Sequence, residues 1–472
     1  MLPWAVGPLS NRAPQYQNQY TLVSRDGKLR FSALSRRALA LPPEVLAEIF
    51  FFCLPFDEDL LVVPDPDDAP LVLCVVCRQW RNVALATPKL WSSLFFDFTV
   101  WEPPDWDSEP LYVDMCRTWL SRARNVPLSL RTDNRLPDDA ANPLLETIIG
   151  LSQQWQSVKF GWGVLPLPEN GNYPFLEKLN IFSPPPNHPT LSFRDAPKLR
   201  DVLIPSYTPR IQLPWHQLTR FGTHSMDIKP CLELLRHASN LVEAHLSILP
   251  YGSSALPNTI FPLPQLQFLN LSGASVEGGA IAIPMTLLNC FKSPALKTLG
   301  LGFEFPRWDN LTDISPFLSF ASQSALQLHT LVLSVIPTST DALIECLKAT
   351  PSVIHLKLQI SPRISDVNQV FTEFTDHRDF MPNLESLVIG LLTPRPALDP
   401  LVAVNMLIWR CVTSPVTRLQ SFRFEVRHRP DFEDSIKSCI KTHLMYPKLE
   451  ASRSDLGLDA RTYEWSFLGI LP

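Results

Sequence analysis

Leu266-Gln267-Phe268-Leu269-Asn270-Leu271, Leu296-Lys297-Thr298-Leu299-Gly300-Leu301 and Leu328-His329-Thr330-Leu331-Val332-Leu333 are three copies of one pattern. Leucine holds the first, fourth and sixth positions in each. Looser copies lie on both sides. Upstream are Trp155-x-x-Val158-x-Phe160, Leu176-x-x-Leu179-x-Ile181, Leu199-x-x-Val202-x-Ile204, a worn Leu218-x-x-Phe221, and Leu241-x-x-Ala244-x-Leu246. Downstream are Val353-x-x-Leu356-x-Leu358, Leu384-x-x-Leu387-x-Ile389 and Leu419-x-x-Phe422-x-Phe424. From Leu176 to Leu419, nine intervals divide 243 residues into units of about 27, with individual spacings of 19 to 35. Such a period marks stacked strand-plus-helix units, none of which can bury its leucines alone.

Helical stretches fall between the copies, at Cys231 to Ala238, Met285 to Phe291, Ile314 to Phe320, Asp341 to Ala349, Val367 to Phe374, Val402 to Val412 and Phe432 to Leu444. Side chains alternate along a strand, so the leucines point into a shared core and the residue between the last pair points to the opposite face. Those interleaved residues are Asn180, His245, Asn270, Lys357 and Arg423, with Leu203, Gly300, Val332 and Val388. A parallel sheet covered on both faces would instead read as near-continuous apolar runs. The expected fold class is α/β, with residues 155–449 forming an irregular solenoid that has a parallel sheet on its concave side and helices outside. His245, Asn270, Lys357 and Arg423 are the expected target-contacting residues. Residues 95–154 form a linking region and the start of the solenoid. They include the end of a strand at Ser92 to Phe98, a helix at Tyr112 to Arg124, a strand at Val126 to Leu130 and a helix at Leu144 to Ile149. Residues 450–472 form a tail.

Residues 35–94 read as a small helical module. Pro42 and Pro43 suit a helix start, where the first N–H groups lack intrahelical partners. Glu44 follows in the first turn, and Val45, Leu46, Ile49, Phe50, Phe52 and Cys53 fall at helical spacing until Pro55. From about Pro70 a second helix carries Leu73, Val76, Cys77, Trp80 and Val83, and ends at Thr87-Pro88 before Leu90-Trp91. About fifty residues cannot bury this much apolar surface alone. It must meet either the rest of the chain, as a cap, or another protein.

The order Leu41-Pro42-Pro43-Glu44-Val45-Leu46-x-x-Ile49-Phe50, Val76-Cys77-Arg78-x-Trp80-Arg81-x-Val83-Ala84, Thr87-Pro88-x-Leu90-Trp91 resembles an F-box. It is similar to the F-box-like proteins of mushroom-forming fungi, and the later pattern resembles the leucine-rich repeats of F-box proteins. The resemblance implies docking on the Skp adaptor and, through it, on a cullin ubiquitin ligase, with the repeats receiving an unidentified target protein. It implies adaptor contacts at Leu41, Pro42, Pro43, Val45, Leu46, Ile49, Phe50, Leu73, Val76, Cys77, Trp80, Leu90 and Trp91. The acidic segment Pro55 to Ala69 is longer than the link of a minimal F-box and is expected to be an exposed loop.

A net charge of −5 and a pI near 6.1 argue against a nucleic-acid surface. No run of 18 apolar residues predicts a membrane span, and residues 1–34 read as irregular and poorly ordered, without a secretory signal. Nine scattered cysteines fit reduced thiols of the cytosol or nucleus. Cys74-x-x-Cys77 lies within the second helix and reads as packing. Asn270-Leu271-Ser272 and Asn310-Leu311-Thr312 match the glycosylation pattern but are expected to stay unmodified. No phosphate loop, dinucleotide fingerprint, nucleophile elbow or paired metal-ligand motif is present. Gly278-Gly279 reads as a turn. Arg427-His428-Arg429 reads as a solvated loop, with capture of an acidic or phosphorylated group as its alternative. No cofactor and no enzymatic activity are expected. A plain scaffold and an enzyme on an irregular α/β fold remain the competing readings.

Overall fold

The apolar residues at the fourth and sixth motif positions, mostly leucine, bury one face of the strands that carry the motif. The structure, a computed structural model, describes residues 41–54, 62–96, 109–132, 143–161, 167, 171–181, 190–249, 260–273, 283–303, 313–336, 338–360, 364–391, 398–413 and 419–426. Thirteen strands form one sheet: Ser93–Phe96, Leu128–Thr132, Trp155–Phe160, Lys178–Ile181, Asp201–Leu203, Arg220–Asp227, Glu243–Leu249, Phe268–Gly273, Thr298–Phe303, Thr330–Ser334, His355–Ile360, Ser386–Leu391 and Ser421–Val426. Every neighbouring pair is parallel, and spatial order follows chain order from one edge to the other.

The register explains the motif. Leu269, Leu299, Leu331, Leu356, Leu387 and Phe422 face one another in a single row, and Leu271, Leu301, Leu333, Leu358 and Ile389 continue the next buried row. All eleven belong to the described residues; the ten before the last strand's end pack in one core with the helices behind them, as does Phe422. Those helices are Ile228–His237, Ile283–Leu287, Ser315–Ser324, Thr340–Lys348, Val367–Asp376 and Pro400–Ile408. Their starts are encoded locally. Ser339 Oγ accepts from Ala342 N at 3.2 Å, Asp366 Oδ1 from Gln369 N at 3.3 Å, and Asp399 Oδ1 from Leu401 N at 2.8 Å. Val367, Val370, Phe371 and Phe374 then bury one helical stripe.

Two features depart from the expected pattern. The worn copy at Leu218 is a full strand, Arg220–Asp227, with a register shift between Thr223 and Met226. Thr223 takes the buried position where other copies have leucine, and its hydroxyl bonds Ser225 O at 3.1 Å. Between Ile181 and Arg220 the connections use extended chain and one short 3-10 turn in the described parts. Leu191–Ser192 pairs with Ile211–Gln212, and farther on Phe261–Pro262 pairs with Phe291–Lys292. These small second-layer sheets carry no leucine signature, so the sequence did not announce them.

The amino-terminal helices run into the sheet without a break. Helix Pro43–Phe51 is followed by Leu73–Val76 and Arg78–Ala86, then by the turn Pro88–Trp91 and the first strand at Ser93. The boundary expected at residues 94 and 95 therefore falls inside a strand, and the sheet begins two strands before Trp155. Trp91 is fully buried; its indole N–H donates to Ala84 O at 2.9 Å, and its ring meets Trp119 edge-on at 4.9 Å. Trp155 repeats the device, donating to Ile148 O at 3.2 Å. Each tryptophan ties the end of a helix to the strand that follows.

Residues 1–34, the acidic stretch from Pro55 to Leu61, Asp97-Phe98, Asn310, Gly278-Gly279, Arg427-His428-Arg429, the stretch Phe432 to Leu444 and residues 450–472 lie outside the described residues. Among the described residues no helix is long and apolar enough to cross a membrane.

Candidate functional site

Helix Pro43–Phe51 is apolar almost all round, and a helix of that kind is ordinarily enclosed. Here it is enclosed on one side only. Leu46 and Phe50 are buried, whereas Val45 and Ile49 are 44% and 42% exposed and Phe52 just beyond is 66% exposed. Positions 45, 49 and 52 fall one helical turn apart and form an outward stripe. Val75 and Val76, on the second helix, are exposed as well, at 68% and 56%. Eight of the eleven exposed large apolar side chains among the described residues lie between Val45 and Leu85. Such concentration is the usual mark of an interaction surface.

The thirteen expected adaptor contacts divide into three groups. Pro42, Pro43, Val45, Ile49 and Val76 are exposed. Leu41, Cys77 and Trp80 are half-buried. Leu46, Phe50, Leu73, Leu90 and Trp91 are buried in the chain's own core and have no surface to offer a partner. The single second helix expected from Pro70 is also two helices. Cys77 is extended between them (φ −160°), and its Sγ caps the next helix by accepting from Trp80 N at 3.4 Å. Trp80 packs on Phe50 at 5.0 Å between ring centroids. Cys74 is half-buried, and burial pushes its thiol up despite Arg122 and Arg81 nearby. Phe51, Phe52, Val75 and Leu85 are exposed as well and lie outside the expected contacts; helical spacing alone does not mark them as outward-facing.

The second candidate surface is the open face of the sheet. Two rows of side chains run across it, through the third and fifth motif positions. One passes through Ser129, Ser157, Lys178, Asp201, Arg220, Glu243 and Phe268, and the other through Arg131, Lys159, Asn180, Leu203, Gly222, His245 and Asn270. Together they floor a groove of about 860 Å³ that reaches from Ser129 to Val332. At its centre Arg220 spans two strands. Its Nη1 lies 3.0 Å from Asp201 Oδ2 and its Nε 2.9 Å from Glu243 Oε2. His245 Nε2 is 2.8 Å from Glu243 Oε1, and its ring rests on Phe268 at 4.7 Å. The His245 hydrogen bond, opposed by burial and helped by Arg220, holds the Glu243 carboxyl below its ordinary range.

Of the four expected target contacts, His245 is half-buried in this network, Lys357 is half-buried and Arg423 is exposed. Asn270 differs from expectation: only 9% exposed, it is recessed in the groove floor. Its neighbour in register is Gly300, where an added Cβ would lie 2.5 Å from Asn270 Oδ1. The small residue gives the amide room to lie down, so Asn270 is shielded as a contact and poorly placed as a glycosylation acceptor. The charged ladder Lys178-Asp201-Arg220-Glu243 occupies the third motif position, whereas the expected contacts all lie at the fifth. Among the described residues the eight cysteines are free, and no group of three or more His, Cys, Asp or Glu is placed to hold a metal ion.

No protein-family model matches this sequence, and no curated protein matches it.

Proposed function

We propose that this chain is a non-catalytic receptor subunit of a Skp–cullin–F-box ubiquitin ligase. Its amino-terminal helices dock on the Skp adaptor, and its sheet, read as an irregular leucine-rich-repeat solenoid, holds a target protein near the conjugating enzyme. Catalysis is then a matter of proximity supplied by a rigid scaffold. The observation that carries this reading is the crowding of exposed apolar side chains onto helices whose sequence resembles an F-box. At roughly 1 kcal/mol for each half-exposed side chain that becomes buried, Val45, Ile49, Phe52, Val75 and Val76 supply a useful part of a docking energy before association costs. A cytoplasmic or nuclear location accompanies this reading.

The competing scaffold reading, in which the helices only cap the sheet and bind no adaptor, draws on the burial of Leu90 and Trp91 against the first strand and helix Glu109–Ala123. The two readings use opposite sides of the same module, so one experiment separates them. Purified Skp adaptor is expected to retain the full chain, and Ile49→Asp with Val76→Asp to weaken retention at least tenfold, the loss of about 1.4 kcal/mol. Both positions are exposed, so the urea midpoint of the variant should match wild type. Failure of wild type to bind, or equal binding by the folded double variant, favours the scaffold.

A further inference from the structure

The exposed apolar stripe of the amino-terminal helices lies within a strongly acidic stretch. Residues 41–70 carry eight carboxylates and no Lys or Arg. Five of the eight are among the described residues, Glu44, Glu48, Asp65, Asp67 and Asp68, and all five are exposed. Glu44 and Glu48 stand one turn apart on helix Pro43–Phe51, beside Val45 and Ile49, and like charges at that spacing repel. Asp68 O accepts from Val72 N at 2.9 Å, which joins the acidic turn to the helix bearing Val75 and Val76. Asp65 Oδ1 accepts from Asp67 N at 2.8 Å. The ion pairs among the described residues lie elsewhere, on Asp114, Asp201, Glu243 and Glu373. Both helices of the docking surface therefore carry exposed apolar side chains next to carboxylates that no cation neutralises.

Residues 1–40, outside the described residues, have the opposite charge: Arg12, Arg25, Lys28, Arg30, Arg36 and Arg37 stand against Asp26 alone. Leu29, Phe31 and Leu34 interleave with these cations. We propose that residues 25–37 fold back onto the outward stripe, with their apolar side chains against Val45, Ile49 and Phe52 and their cations toward the flanking carboxylates. Clustered like charges of this kind mark interaction segments, and the matching surface begins where the segment ends. Phe31 stands eleven residues before Pro42. That is up to about 36 Å of chain, whereas the stripe from Val45 to Phe52 is about 10 Å long. A second copy of the chain offers the same chemistry without the tether, which gives the resident segment an effective concentration on the order of 1 mM. The contact is independent of adaptor docking. Its consequence, that the segment competes with the adaptor for one surface, rests on the proposed function.

The test is fluorescence anisotropy of a labelled peptide of residues 21–40 with two full chains, wild type and one combining Arg25→Gln, Lys28→Gln, Arg30→Gln, Arg36→Gln and Arg37→Gln. The peptide is expected to bind the neutralised chain and to weaken with salt. It should bind wild type at least tenfold more weakly, because the resident segment competes; tenfold competition needs a peptide Kd of about 0.1 mM or below. Ile49→Ser with Val76→Ser, added to the neutralised chain, should lower peptide binding at least fivefold. Purified Skp adaptor should bind the neutralised chain about tenfold more tightly than wild type, since the surface no longer has to be uncovered. Equal peptide binding by the two chains overturns the proposal, as does binding that ignores the serine substitutions or equal adaptor affinity of both chains. Sedimentation equilibrium showing wild type dimeric and the neutralised chain monomeric assigns the contact to a second copy and overturns it too. Peptide binding as expected with no adaptor retained by either chain removes the receptor reading and upholds the contact.

Discussion

Trp91→Ala is expected to destabilise the protein by about 3–5 kcal/mol, the usual range for deleting a large aromatic side chain from a packed core. Trp91 is fully buried. It lies where the amino-terminal helices meet the sheet, and three interactions converge on it. Its indole N–H holds the last turn of helix Arg78–Ala86 through Ala84 O. Its ring packs edge-on against Trp119, whose own N–H donates to Ser93 O at 3.3 Å. The Arg122 guanidinium sits 4.3 Å above it. Trp91→Phe retains the ring contacts and loses the hydrogen bond, so a smaller loss of about 1–2 kcal/mol is expected. The first strand lies at the edge of the sheet and pairs only with Leu128–Thr132, so damage begins locally. The urea midpoint should fall, and amide exchange should rise first at the first strand, Ser93–Phe96. A loss under 1 kcal/mol for the alanine variant would mean that the helices and the sheet are not energetically joined there.

Arg410→Ala is expected to cost about 2–4 kcal/mol by a different route, a buried acceptor that loses its donor together with a cavity. Arg410 is 1% exposed and lies in the wide turn Trp409–Thr413 that ends helix Pro400–Ile408. Its guanidinium donates to Met381 O at 3.2 Å and to Phe380 O, and lies 5.3 Å from the Phe374 ring. Met381 takes a left-handed backbone conformation (φ 48°), so the carbonyls that Arg410 holds belong to a turn of uncommon geometry. Burial pushes its pKa down to about 10, which still leaves the side chain charged at neutral pH. Truncation removes the guanidinium from Phe380 O, leaves Met381 O with the Leu384 N–H at 3.3 Å, and opens a cavity. Arg410→Lys keeps the charge but not the planar fork that reaches both carbonyls, so only partial rescue is expected. Urea unfolding of the three proteins measures this. An alanine variant as stable as wild type would show that the turn is satisfied without the guanidinium.

Much of the sheet was legible because one chemical rule repeats. Leucine at the fourth and sixth positions buries one face, so Leu269, Leu299 and Leu331 announced their strands without help from the rest of the chain. The rule fails where a different residue meets the same need. Thr223 takes a buried position by bonding its hydroxyl to Ser225 O and leaves no leucine to count there. Ser93–Phe96 keeps the pattern in looser form, with Trp91, Leu94 and Phe96 all buried.

The candidate surfaces were less legible. Helical spacing located the apolar residues of Pro43–Phe51, yet on a helix apolar all round it cannot say which stripe faces inward. Leu46 and Phe50 turned in toward Trp80 and the core, leaving Val45 and Ile49 outside. On the sheet, the alternation of side chains identified the open rows, but Asn270 lies recessed because Gly300 beside it leaves space. The Arg220 network joins residues from three strands and appears only when their register is known.

The outward stripe of the amino-terminal helices is the proposed docking surface for the Skp adaptor. Hydrogen–deuterium exchange of the full chain, with and without saturating purified adaptor, tests it most directly. New amide protection is expected over 43–53 and 72–77, with the strands from Glu243 to Ser334 unchanged. Protection confined to the sheet, or no protection anywhere at saturation, would contradict it.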